Sequence, residues 1–200
     1  MIALAACSGA PASPVPTAPP PTTATQPPAA TSAPTQSGGP VIISGAGDIV
    51  QTVAQYQGAL GGQDNGGKPG TQSSGFRLIN WDAVPDELAS PNNLPSDFFN
   101  DAADPRARGA FFSTPGTGVQ VSAKTGNPAG TAPRFGNINP QYANIFKTFS
   151  PERLFSPIGS NIVDLTFFVP GSKTPATVRG FGAVYTNVRI QHTSFEYFDL

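Results

Sequence analysis

The first part of the chain contains neither charged nor aromatic residues: the first charged residue is Asp48 and the first aromatic residue is Tyr56. Ten of the 23 prolines lie between Pro11 and Pro40, in a stretch of Pro, Thr, Ala and Ser. Such a stretch has too little bulky apolar surface to offset the entropy lost on ordering it. We therefore expect residues 8–44 to form a disordered linker and residues 45–200 to form one folded domain.

The N-terminal segment contains the sequence Leu4-Ala5-Ala6-Cys7. An apolar residue, two small residues and a cysteine resemble a bacterial lipobox, in which the cysteine thiol is lipidated and the signal peptidase cleaves just before it. Six residues without a basic side chain precede Cys7, so we interpret residues 1–7 as the remainder of a signal peptide. The alternative is an apolar N-terminus with a chance cysteine. By resemblance to enterobacterial lipoproteins, the serine after Cys7 favours the outer membrane, and we expect an envelope or extracellular location.

Composition argues against several classes of partner. The formal net charge is −1 and there is no run of Lys or Arg, whereas a nucleic-acid partner requires cations that neutralise phosphates. The sequence has no apolar run of the ~20 residues that a membrane span needs. We therefore expect no nucleic-acid binding, and membrane contact only through the lipid anchor.

Hydrophobic spacing predicts one helix followed by short strands. Ile49, Val53, Tyr56 and Leu60 recur on one helical face, Asp48 can cap the start, and glycines follow Leu60. A loop over residues 63–75 leads to the strand pattern. Strands are predicted at residues 76–81, 110–114, 119–122, 161–169, 177–188 and 193–198, with a helical turn or two in residues 141–148. The segment Pro115-Gly116-Thr117-Gly118 predicts a hairpin between the second and third of these strands.

Short strands separated by Pro and Gly turns are typical of a mainly β domain. We expect a jelly-roll or β-sandwich-like fold, preceded by the short helix and the linker. The sequence stops at Leu200, directly after a predicted strand. This favours a domain that is incomplete at its C-terminus.

A series of short motifs gives the domain a family resemblance. In chain order they are Ile79-Asn80-Trp81-Asp82, Asn93-Leu94-Pro95, Phe111-Phe112-Ser113-Thr114-Pro115-Gly116, Phe135-Gly136-Asn137-Ile138-Asn139-Pro140, Phe149-Ser150-Pro151 and Phe181-Gly182-Ala183-Val184-Tyr185. This series resembles a group of uncharacterised bacterial exported, lipoprotein-like proteins over roughly residues 48–200. The resemblance implies a secreted β-sandwich and no established activity.

Nucleophilic and zinc chemistry find little support in the sequence. Cys7 is the only cysteine and is assigned to the anchor, while His192 is the only histidine. A Ser-His-Asp triad would have to use His192, and the G-x-S-x-G motif is missing. A carboxylate-pair glycoside hydrolase remains an open alternative, although no spacing singles out a pair of acids.

Calcium is the cofactor that the sequence favours most. Asp97, Asp101 and Asp104 lie in a loop rich in Asn and Asp, and Ca²⁺ takes oxygen ligands from such side chains. We predict a calcium site at these three residues. The alternative is that they stabilise turns.

Trp81 lies between Asn80 and Asp82, a combination that can bind a sugar. The indole would stack on the apolar face of the ring while the amide and the carboxylate bind hydroxyl groups. The alternative is that the single tryptophan belongs to the core.

Three functions therefore stay open. The first is a surface-tethered, non-catalytic module that binds carbohydrate or matrix through its loops. The second is a structural or adhesive envelope domain without a small ligand. The third is the carboxylate-pair hydrolase.

Overall fold

The computed structural model describes residues 2–5, 39–102, 105–188 and 193–198. It contains two α-helices and seven short strands, so the expectation of a β-rich domain is confirmed. The helices are α1 (Val50–Ala59) and α2 (Tyr142–Ile145). The strands are β1 (Ile2–Ala5), β2 (Phe76–Ile79), β3 (Ala110–Ser113), β4 (Gly118–Val121), β5 (Phe155–Ile158), β6 (Asp164–Phe167) and β7 (Phe181–Ala183).

The strands form three small antiparallel sheets. One sheet has the order β2-β1-β7, and the other two pair β3 with β6 and β4 with β5. In the part of the chain that is described, these sheets do not close into a sandwich.

The predicted hairpin between β3 and β4 is wrong, although both strands exist. The segment Ser90–Ser96 lies between them and uses the backbone groups that a hairpin would need. The Phe112 N–H donates to the Ser96 carbonyl at 3.0 Å, and the Leu94 N–H donates to the Val119 carbonyl at 2.8 Å. Because these groups are already paired, each strand finds its neighbour further along the chain.

The predicted helix is confirmed and packs on the first sheet. The Asp48 carboxylate accepts the Val50 N–H at 3.2 Å at its start. Tyr56 and the buried Leu60, at the end of the helix, form a small cluster with Phe76 and Leu78 of β2 and with Val178.

Other predicted elements agree in part. Helix α2 lies in the predicted helical turn, β6 and β7 occupy the centres of their predicted strands, and the loop before β2 is present. Residues 193–198 contain no strand, so that prediction is wrong. Two strands were not predicted from the sequence: β5, which contains a proline, and β1. Residues 39–44 of the predicted linker belong to neither a helix nor a strand, and residues 8–38 lie outside the described residues.

The main core is aromatic and aliphatic. Its buried members include Ile79, Trp81, Leu94, Phe98, Phe99, Phe112, Val119 and Val121. Strand β2 contributes to both clusters because its alternate side chains lie on opposite faces, with Ile79 in the main core and Leu78 under α1.

Candidate functional site

Trp81 is a core residue in the structure. Its side chain is 4% exposed, and its ring stacks on Phe155 with 4.4 Å between centroids and 11° between planes. Phe99 and Phe112 meet it edge-on at 5.5 Å and 5.6 Å. The ring therefore has no face open to a sugar, and the core interpretation fits its packing.

Asn80 and Asp82 shape the chain around Trp81. The Asn80 Oδ1 atom accepts the Asp82 N–H at 3.0 Å and begins a 3₁₀ turn over Trp81–Ala83. The Asp82 Oδ1 atom accepts the Ser150 hydroxyl at 3.1 Å and the Arg153 N–H at 2.9 Å. These hydrogen bonds connect the 150–153 loop to the start of the turn. The side chains of Asn80 and Asp82 therefore both stabilise the local structure.

A second acid, Asp86, neutralises a buried cation. Its carboxylate accepts from the Arg153 guanidinium, which also donates to the Ser122 carbonyl at 2.8 Å. The Lys124 ammonium lies 3.7 Å from the other Asp86 oxygen. The carboxylates of Asp82 and Asp86 thus both bind groups of the protein itself. This arrangement stabilises the fold and does not leave a free carboxylate pair.

The predicted calcium ligands are described only in part. The Asp101 carboxylate forms an ion pair of 3.1 Å with Arg106, whose guanidinium lies 4.0 Å from the centre of the Phe98 ring. Asp97 directly precedes the 3₁₀ turn Phe98–Asn100, and Asp104 lies outside the described residues. In those residues, no three His, Cys, Asp or Glu side chains are grouped as a metal would require. The calcium site stays a prediction.

Two clefts border the segment that separates β3 from β4. The first has a volume of about 410 Å³ and is lined by Asn93–Ser96 and by both strands. The second, of about 270 Å³, lies between Asp86–Asn92 and Asn127–Thr131. Neither contains an aromatic platform, since Phe112 in the first cleft is buried.

Exposed aromatic rings lie together near β7. We call this group the aromatic surface; its members are Tyr185, Phe195 and Tyr197. Their exposed fractions are 49%, 45% and 70% respectively. The Phe195 ring lies 5.6 Å from Tyr185 and 5.3 Å from Phe181 of β7. The Tyr197 hydroxyl donates to the Phe181 carbonyl at 3.4 Å. The rings thus form one exposed group next to the first sheet.

The surroundings of Tyr185 shift its pKa. Partial burial raises the pKa of Tyr185, and the nearby Tyr197 raises it further. The Tyr185 hydroxyl therefore stays protonated at neutral pH and can donate a hydrogen bond, and Thr193, Ser194 and Glu196 add polar side chains in the same segment as Phe195. The combination of apolar ring faces with neutral hydroxyls suits a ligand that has both apolar and hydroxylated faces.

The aromatic surface was not predicted from the sequence. Phe195 and Tyr197 supply two of its three rings and were the available signal, but the alternation of their side chains predicts a strand. Cys7 and His192 lie outside the described residues, so the lipidation site stays a prediction.

Comparisons with protein-family models, with curated proteins and with solved structures found no match for this chain. Among the described residues, none of the helices has the length and hydrophobicity that crossing a bilayer requires.

Proposed function

We propose that this protein is a non-catalytic binding module of the bacterial cell envelope, attached through a lipid on Cys7, that binds glycan or matrix polysaccharide. The observation that carries the binding function is the aromatic surface. Three rings that are each nearly half exposed or more lie together, although solvent contact of large apolar side chains is unfavourable. A ligand that covers them would recover this free energy.

A carbohydrate suits the surface better than a charged ligand. Its rings offer apolar faces on which the C–H groups of a sugar can pack, and the hydroxyls of Tyr185 and Tyr197 can bond to sugar hydroxyls. Glu196 is the only charged residue described in the 193–198 segment. In this proposal the aromatic surface binds the sugar, in place of the site predicted from the sequence at Trp81, Asn80 and Asp82.

The location and fold form the second part of the proposal. The lipobox-like Leu4–Cys7 sequence and the Pro-rich stretch after it support an outer-membrane or extracellular lipoprotein with a long tether. Stable attachment then requires more than one acyl chain. We also propose that the three small sheets belong to a jelly-roll or sandwich-like domain, which the antiparallel pairing of distant strands supports.

The proposal is tested by screening the protein without its lipid against arrays of polysaccharides and glycans, first with Ca²⁺ and then with a chelator. Saturable binding to one glycan class is expected. Loss of binding with the chelator would place calcium at or beneath the site. A folded protein that binds no glycan would favour the structural or adhesive domain, and release of reducing sugar would favour the carboxylate-pair hydrolase.

A further inference from the structure

Strand β1 pairs on both sides. It runs antiparallel to β2, with Ile2 opposite Ile79 and Ala5 opposite Phe76, and antiparallel to β7, with Ile2 opposite Ala183. The two neighbours are far apart in the sequence and are joined in this sheet through β1.

Strands β2 and β7 have no direct pairing with each other. Neighbouring strands lie about 4.8 Å apart, so the two are separated by roughly twice that distance. Without β1, each would present an unpaired edge of N–H and C=O groups toward the other. The space between them is one strand wide, and we call it the strand slot.

Two of the four residues in the strand slot belong to the lipobox-like motif. Leu4 and Ala5 pair with β2, and the same two residues precede Cys7 in the predicted processing site. A segment cannot lie in the active site of a peptidase and in a sheet at the same time. Cleavage before Cys7 also separates β1 from the domain.

The walls of the strand slot define the strand that fits it. On one side the main core presents Ile79, Phe181 and Ala183. On the other side lies α1, where a Cβ atom on Gly182 would come within 2.8 Å of the Tyr56 ring. A fitting strand needs aliphatic residues at the positions paired with the core side and a small residue at the position paired with Gly182. Ala3 occupies that position in Ile2-Ala3-Leu4-Ala5.

We propose that the strand slot is a peptide-binding site: Ile2–Ala5 fills it before processing, and an extended aliphatic strand of a second polypeptide fills it in the processed protein. The processing step rests on the lipidation at Cys7 proposed above. Binding of this kind adds a strand to an exposed edge, with backbone hydrogen bonds for affinity and alternate side chains for specificity. The slot offers two edges, so its occupant is bonded on both sides.

Hydrogen exchange on the full chain tests the slot. Ala3→Pro removes an N–H and disfavours the pairing of β1 with β2 and β7. The backbone amides of residues 76–79 and 181–183 should therefore exchange at least about tenfold faster. This corresponds to a change of ~1.4 kcal/mol in the free energy of opening. Val41→Pro, at an exposed position outside the helices and strands, should have no effect. Adding a synthetic peptide of residues 1–6 should restore protection in Ala3→Pro, and a peptide with Leu4→Pro should not.

Any of three results would overturn the proposal that the strand slot binds a peptide. These are unchanged protection of residues 76–79 and 181–183 in Ala3→Pro, no restored protection when the peptide of residues 1–6 is added, and unfolding of the whole chain. Unfolding is checked with Ala3→Arg, which keeps the N–H and introduces a large residue at the position paired with Gly182. If both variants unfold, β1 is an obligatory strand and cannot be exchanged. The processing step is tested separately by the intact mass of protein isolated from bacterial membranes. Retention of residues 1–6 would contradict lipidation at Cys7 and leave the exchange results to decide the slot.

Discussion

The two groups of aromatic residues in this protein have similar chemistry and opposite environments. Trp81, Phe99, Phe112 and Phe155 pack around one another in the main core, whereas the rings of the aromatic surface are each 45% exposed or more. The difference lies in the polar groups that surround them. Around Trp81, Asp82 bonds to the 150–153 loop and Asp86 bonds to the buried Arg153. At the aromatic surface, the Tyr197 hydroxyl makes a 3.4 Å hydrogen bond to Phe181.

The comparison indicates which aromatic residues determine stability and which are available for binding. A ring that is packed on several sides by other rings and held by buried ionic contacts contributes to folding. A ring that gains little from its neighbours can contact a ligand at little cost to the fold. Substitutions in the two groups should therefore have opposite effects on stability and binding.

The largest expected effect on stability is that of Trp81→Ala. Removing a large aromatic side chain from a core costs about 3–5 kcal/mol because contacts are lost and a cavity is left. Tyr197→Ala, the matched change at the aromatic surface, should alter the free energy of unfolding by less than about 0.5 kcal/mol. Urea unfolding measures both values. Equal losses for the two variants would show that the two groups do not differ in the way described.

The next effect in size is that of Arg153→Met, which tests the ionic contacts of the core. The side chain is 1% exposed, while Asp86 is 25% exposed and keeps Lys124. Because Asp86 retains water and a second cation, we expect a loss of about 2 kcal/mol rather than the full penalty of an isolated buried charge. Arg106→Met is the control, since the Arg106–Asp101 pair is more exposed and should contribute about 0–1 kcal/mol. A smaller loss for Arg153→Met than for Arg106→Met would contradict this ranking.

The smallest effect concerns Tyr56, a residue of α1 whose ring lies against Gly182 of β7. Its hydroxyl is buried without a hydrogen-bond partner among the described residues. Burial raises the pKa of Tyr56 above its ordinary value, and Tyr197 raises it further. The folded state therefore favours the protonated form. The corresponding stability is fully present below the unfolded pKa of about 10 and is lost as the pH rises from there through the raised folded pKa.

Tyr56→Phe removes this ionisation and the unpaired hydroxyl. At neutral pH we expect stability to be unchanged or higher by up to about 1 kcal/mol. Above about pH 10, stability should fall less steeply with pH than in the wild type. Urea unfolding at several pH values measures both effects. A loss of stability at neutral pH would show that the hydroxyl has a partner.

The sequence predicted individual helices and strands better than it predicted which strands pair with each other. Periodicity identified α1, β2 and β6, because apolar spacing is a local property. It did not identify the pairing of β3 with β6, since the backbone groups of Ser90–Ser96 that block the hairpin come from outside both strands. Nor did it show whether Trp81 is buried, because burial depends on Phe112 and Phe155, which are distant in sequence. The charged residues that surround the core were visible in the sequence, but nothing local paired Asp86 with Arg153.

The most direct test of the account is the affinity of Tyr185→Ala and Tyr197→Ala for the glycan class found in the screen. Ile162→Ala is the matched control, because Ile162 is also exposed, at 53%, and lies outside the aromatic surface. We expect each tyrosine variant to remain folded and to lose about tenfold or more in affinity, equal to ~1.4 kcal/mol, while the control binds like the wild type. Unchanged affinity in both tyrosine variants would contradict the assignment of the binding site to the aromatic surface.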